Sequence, residues 1–326
     1  MLCGKKFIHE DANMKFKFDA TRFKKNFIRD WQLHILMFIP LIYLTIFDFI
    51  PMYGLQLAFR DYSILNGVGG SKWIGLKLFE KFLNNPDFGL YFKNTLYLSL
   101  YSMVTFPLPV IFALILNALR SEKYRKVVQT VSYMPYFLST TVMVGILHMI
   151  LNPMGGMYGN LYQLITGTRA TTDIRYLSES FRHLYVWSGV WQSLGWNSII
   201  YMAALSSVSQ ELHEAAQIDG ATRLKRMWHV DLPAIIPTVA IMFIMRCTSI
   251  IAVGAEKVLL MQKKGVNTDT AEVLSTKVLN DFKDKGAISY SEGTAIGLFN
   301  TAINLSLLVL VNTIVKKATD GEVTLY

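Results

Sequence analysis

Arg246 lies about a dozen residues into a long apolar run, where an unpaired cation is costly and must face water, a ligand or a fixed acid. Its planar fork suits sugar hydroxyls or a sugar carboxylate. It suits equally a structural bond to carbonyls or to an acid on a partner subunit. In another apolar run Asn300 and Asn304 share a helix face, either lining a hydrophilic passage or bonding helix to helix. A third run carries Trp187, Trp191, Gln192, Trp196 and Asn197. Indole faces stack on sugar rings and the neighbouring amides hold hydroxyls, although Trp187, near the outer end, fits an aromatic belt. Trp191, Trp196 and Asn197 lie deeper. Thr248 and Ser249 are read as bonded back to their own helix, and His148 as a hydrogen-bonded core residue rather than a proton relay. This is chemistry for holding a polyhydroxylated or carboxylated ligand, not for breaking a bond.

Catalytic constellations are absent from the sequence. It contains no G-x-x-x-x-G-K-[ST] phosphate loop, H-E-x-x-H or G-x-S-x-G. Gly67, Gly69 and Gly70 precede Trp73 rather than a helix start and read as a loop turn. The cysteines, Cys3 and Cys247, are too few for a disulfide framework or a cysteine metal site. No metal ligands and no bound cofactor are expected.

The elements that position these residues follow from composition. With 52% hydrophobic and 17% charged residues the chain is too apolar for a soluble globular protein. Apolar runs fall at 33–57, 93–119, 127–151, 184–206, 234–260 and 293–315, each about the ~20 residues that cross a bilayer as helix. The expected fold is an all-α integral membrane protein with six transmembrane helices. Its division is a basic cytoplasmic segment at 1–32, a first helix at 33–57, an extracytoplasmic loop at 58–92, a core of five helices at 93–315 and a cytoplasmic tail at 316–326. The basic first segment, Arg120–Lys126, Arg223–Arg226 and Lys316–Lys317 all fall on one side, which the positive-inside rule makes cytoplasmic. The net charge of +9 is explained by these flanks; no basic face with interleaved aromatics points to nucleic acid.

Between the fourth and fifth runs lies a polar stretch, 207–233, that reads as two short helices with a sharp break. Ser207 with Gln210 forms a candidate capping box, Gly220 supplies a left-handed stop, and Asp219 is placed to cap the next helix. Leu212, Ala215, Ala216 and Asp219 share one face and Glu211 and Glu214 project from another. About a dozen residues cannot cross a bilayer, but a small-residue face can sit closely in a groove on another protein.

The register of Glu214-Ala215-Ala216-Gln217-Ile218-Asp219-Gly220-Ala221, followed by Val230-Asp231-Leu232-Pro233, resembles the EAA loop of the permeases of ABC importers. Trp31-Gln32-Leu33, Ile50-Pro51-Met52-Tyr53-Gly54 and Tyr133-Met134-Pro135-Tyr136-Phe137-Leu138-Ser139 extend the likeness to carbohydrate-importer permeases related to the LplB and YtcP groups. Those take up oligosaccharides, including acidic ones derived from pectin or alginate. The resemblance implies that Glu211, Glu214, Ala215, Ala216, Asp219, Gly220 and Ala221 form the coupling helix that docks on a cytoplasmic ATPase. It also implies the type I importer fold and alternating access driven by ATP and Mg on the partner ATPase dimer. A second, homologous permease subunit, an extracytoplasmic binding protein and residence in the bacterial inner membrane with both termini cytoplasmic are implied as well. Trp191, Gln192, Trp196, Asn197, Arg246, Asn300 and Asn304 are the candidates for the substrate pathway. The other class open to the sequence is an ion-coupled secondary transporter, which would be expected to carry membrane-embedded carboxylates. Asp48, toward the outer end of the first run, is the one obvious acid there.

Overall fold

A computed structural model describes residues 29–286, 289–319 and 321. Residues 1–28 of the expected basic segment, with Cys3, residues 287–288, and residues 320 and 322–326 of the expected tail lie outside that range. The chain falls into two units, one ending at Gln56 and one beginning at Leu57.

The first unit is built on helix α1 (Trp31–Leu44), which runs on as a wide π turn over Thr45–Phe49 and a further turn over Ile50–Met52. Pro51 lacks the N–H that would close an ordinary turn, so the helix loosens just ahead of it. None of the α1 side chains is buried. A helix that is apolar all round and uncovered is suited to lipid.

The second unit begins with a ribbon of two short antiparallel strands, β1 (Arg60–Asp61) and β2 (Lys72–Trp73). Arg60 closes the turn between them by donating to the Gly69 and Ser71 carbonyls at 2.8 and 2.9 Å. Helix α2 (Lys77–Leu83) leads to α3 (Phe88–Val104) and α4 (Pro107–Asn117), which together form one 30-residue apolar stretch. Next come α5 (Glu122–Tyr133), capped by the Ser121 hydroxyl, and α6 (Thr140–Ile150), capped by Ser139. The expected straight span at 127–151 is therefore corrected: α5 and α6 are bent by 104°. Pro135 cannot donate within the intervening turn, and extended backbone at Leu138 and Ser139 starts a new helix.

Helix α7 (Met157–Thr166) and a loop lead into α8 (Ser178–Ser206), 29 residues long and containing the expected fourth span. In that loop two hydrogen bonds from Arg175, at 2.6 and 2.7 Å, hold the Asp173 carboxyl below the usual carboxylate range. Helix α9 (Gln210–Ile218), the short α10 (Arg223–Arg226) with its π turn Met227–Asp231, and α11 (Leu232–Cys247) follow. The run expected at 234–260 is not one helix. It stops at Cys247, and α12 (Ala255–Met261) is separate. The Thr248 hydroxyl donates to the Met245 carbonyl at 2.7 Å, and the Ile251 N–H donates to Asn304 Oδ1 at 3.2 Å. These bonds satisfy backbone groups that the end of α11 leaves open. Helices α13 (Leu274–Lys285) and α14 (Ser289–Ala318) complete the chain, α14 containing the expected sixth span.

Among the described residues, four stretches are long and apolar enough to cross a membrane: Trp31–Phe59, Phe88–Asn117, Arg223–Cys247 and Tyr290–Lys317. The bent α5–α6 pair makes a fifth if counted as one span. Helix α8 stands at the centre of the second unit. Its Phe181 packs with Leu98, Met143, Val258 and Met261 in one buried cluster. Its Tyr201 and Leu205 pack with Val110, Leu114 and Ile235 in another. The segment expected as a plain loop at 261–292 is partly internal. Asn94 of α3, 1% exposed, donates to the Asp269 and Glu272 carbonyls at 2.9 and 3.0 Å and ties it down.

Candidate functional site

Two features stand out in the second unit: the short helix α9, and a cavity against which α8 and α11 both lie. Helix α9 begins two residues later than the Ser207 capping box suggests. Its cap is Ser209, whose hydroxyl accepts from the Glu211 N–H at 3.2 Å. It stops at Gly220, whose φ of +74° is the left-handed conformation expected there. The Gly220 N–H donates to Gln217 O at 3.0 Å and the Ala221 N–H to Ala216 O at 2.8 Å, a paired arrangement that satisfies the last carbonyls. Asp219 closes α9 rather than capping the next helix; Thr222 does that through the Lys225 N–H.

The faces of α9 also differ from the sequence reading. His213 and Ala216 turn inward and are half-buried, while Glu211, Leu212, Glu214, Ala215 and Asp219 are exposed. Ala215 and Ala216 thus lie on different sides. His213 Nε2 sits 3.4 Å from Asp231 Oδ1, and Asn117 Nδ2 donates to the same oxygen at 3.5 Å. Asp231 is 5% exposed, so its carboxyl depends on these partners. One carboxylate therefore joins α9 to the end of α4 and the start of α11.

The cavity, about 530 Å³, is lined by polar groups that include Ser99, Asn197, Arg246 and Lys257. Lys257 Nζ donates to the Tyr185 carbonyl at 2.7 Å and lies 4.6 Å from the centre of the Tyr185 ring. Gly189 gives this ammonium its room, since a Cβ there would come within 3.2 Å of Nζ. Ser99 Oγ is buried without a hydrogen-bond partner. Two cations and unpaired hydroxyl and amide groups make a surface for an anionic, hydroxyl-rich ligand.

The structure brings Asn197 and Arg246 together in this cavity and places the other candidates elsewhere. Gln192 donates to the Leu138 carbonyl at 2.8 Å, and Trp196 stacks on Tyr136 at 4.5 Å between ring centres. Both brace α8 against the α5–α6 bend. Trp191 is about half exposed and lines no part of the cavity. Asn304 accepts the Ile251 N–H, and Asn300 Oδ1 is buried without a partner; neither lines the cavity. Trp187 donates to the Tyr101 hydroxyl at 2.9 Å. Lys257, His213 and Asn117 were not singled out from the sequence. Lys257 carries the clearest signal of the three, a cation inside the run 234–260.

Residues 105–319, which include α9 and most of the cavity wall, match the family of binding-protein-dependent transport system inner membrane components. The chain belongs to that family. It is 36% identical to the polygalacturonan/rhamnogalacturonan transport system permease protein YteP of Bacillus subtilis, over 94% of this chain and 97% of that one. Protein LplB of the same organism is 39% identical over 89% of this chain and 90% of its own length. Among solved structures the chain is similar to one of a bacterial ABC transporter involved in the import of the acidic polysaccharide alginate. There the TM-score is 0.81 at 34% identity, covering 91% of this chain and 99% of that one. A second crystal structure is of a bacterial alginate ABC transporter in complex with an alginate pentasaccharide-bound periplasmic protein. It matches with a TM-score of 0.82 at 32% identity, over 93% of this chain and all of that one. The family lends no support to the ion-coupled alternative.

Proposed function

We propose that this chain is the pore-forming permease subunit of an inner-membrane ABC importer for an acidic oligosaccharide. The sugar is delivered by an extracytoplasmic binding protein, and the pore is completed by a second, homologous permease subunit. The chain hydrolyses nothing itself; ATP and Mg act on a separate ATPase dimer. Six membrane crossings with both termini cytoplasmic put α9 on the ATPase side, in keeping with the basic flanks.

The observation that carries the mechanism is the shared use of α11. Its start is tied through Asp231 to His213 of α9, and its far part bears Arg246 on the cavity. Movement of α9 with the closing ATPase dimer is thus passed along α11 to the cavity wall, which switches between inward and outward access. Glu211, Glu214, Ala215 and Asp219 form the exposed docking face, Gly220 and Ala221 fix its end, and Ala216 seats it. Arg246, Lys257 and Asn197 receive the sugar, the two cations attracting its carboxylates. The relatives that handle polygalacturonan and alginate support a carboxylated substrate.

The test is ATP hydrolysis by the assembled complex in lipid vesicles, with and without sugar-loaded binding protein. Loaded binding protein should stimulate hydrolysis in the wild type, and His213→Ala should keep the basal rate while losing the stimulation. Equal stimulation in His213→Ala would remove the pin from the mechanism.

A further inference from the structure

A second cavity, about 340 Å³, lies beside α9 at the ends of two apolar stretches, Phe88–Asn117 and Arg223–Cys247. Arg120, Arg223 and Arg226 line it together with Asn117, His213 and Asp231. Three arginines therefore share the cavity with one carboxylate, which His213 and Asn117 already engage and which lies close enough to Arg226 to feel its charge. Arg226 Nε is buried and has no hydrogen-bond partner among the described residues. Arg120 and Arg223 are exposed and make no ion pair among the described residues. Positive-inside flanks are ordinarily spread along loops; here segments more than a hundred residues apart bring their arginines to one concave site.

We propose that this cavity binds the phosphate of an anionic phospholipid headgroup. The inference rests on the reading above, which puts α9 on the cytoplasmic side. Helix ends at the membrane surface are where a headgroup phosphate sits, and basic pockets between membrane helices on that side suit it. Guanidinium forks match phosphate oxygens two at a time. Trp228 and Leu224, 55% and 63% exposed, flank the arginines, an indole and an alkyl chain suited to the interface. Because the cavity shares His213 and Asp231 with the pin of α9, a bound headgroup steadies the coupling helix against α11.

The experiment uses the complete complex of both permease subunits and the ATPase dimer. It is purified, stripped of lipid with detergent and titrated with phosphatidylglycerol in phosphatidylcholine. Retained phosphatidylglycerol is read by mass spectrometry, and stimulated ATP hydrolysis is measured on the same samples. Wild type should bind with half-saturation at a phosphatidylglycerol fraction that rises about fivefold in Arg120→Gln and again in Arg223→Gln. Arg223→Lys, which keeps the charge but loses the fork, should fall between wild type and Arg223→Gln, which separates loss of the site from folding defects. Equal affinity in wild type and both Gln variants would overturn the site. Displacement of the lipid by inorganic phosphate at matched ionic strength would reassign it to a soluble anion. Binding only after the ATPase is removed would make it an ATPase contact. Stimulated hydrolysis by the wild type reports separately on the transport reading, so failure there is not confused with failure of lipid binding.

Discussion

Arg246 and Lys257 come to the same cavity from either side of the break after Cys247, and they are held differently. Lys257 is fixed by the Tyr185 carbonyl and ring, while Arg246 makes no such bond among the described residues. Arg246→Lys keeps the charge but loses the two-pronged geometry, so uptake of a carboxylated sugar should weaken while the complex stays assembled. Arg246→Met should weaken it further. Uptake and thermal stability of the detergent-solubilised complex are measured side by side; a stability loss that tracks the whole uptake defect would make Arg246 structural. Arg246 was legible because a cation deep in an apolar run is conspicuous. Lys257, inside the same run, carries that signal more weakly, because it sits beside Glu256 near the end of the run. The break itself is set by Thr248, Asn304 and local backbone bonds, one of them made by a residue over fifty positions away. Asn300 and Asn304 show the same limit: a shared helix face does not say what packs on it.

Helix α9 was the most legible element, since a glycine stop leaves its mark at a fixed position. Gly220 adopts φ +74° with open space around its Cα, so a side chain there meets backbone strain rather than a clash. Gly220→Val should therefore cost about 1 kcal/mol or more and lower transport while membrane insertion persists; unchanged uptake would count against the turn. Which face of α9 points inward was not legible, because His213 finds Asp231 only in the folded chain. Ala215 is exposed and Ala216 half-buried, which separates two substitutions. Ala215→Trp should release the ATPase from an intact membrane subunit, whereas Ala216→Trp should disturb the seat of α9 itself. Co-purification of the ATPase at the wild-type ratio with Ala215→Trp would refute the docking face. The α5–α6 bend was hidden in a run of adequate length, and Gly195 shows how tightly it is held. A Cβ there would run into the Ser132 carbonyl of α5, so Gly195→Val should destabilise the subunit by about 1–3 kcal/mol, read as a lower Tm.

For the whole molecule, composition and periodicity were enough for a helical membrane protein, because lipid imposes length and apolarity on every crossing. They were less informative about α8, whose 29 residues are too polar to be counted among the clearly apolar spans yet organise two of the buried clusters. A helix that borders a polar cavity need not be apolar on every side. The outer segment at 261–292 reads as a loop in the sequence, but the bonds from Asn94 fold it onto α3. On the proposed function these parts form one half of an ATP-driven sugar pore. The most direct measurement of this is uptake of a labelled carboxylated oligosaccharide into vesicles carrying both permease subunits and the ATPase dimer, with binding protein outside and ATP inside. Accumulation that requires every component and ATP hydrolysis is the expected result. Accumulation driven by an ion gradient without the ATPase would contradict it.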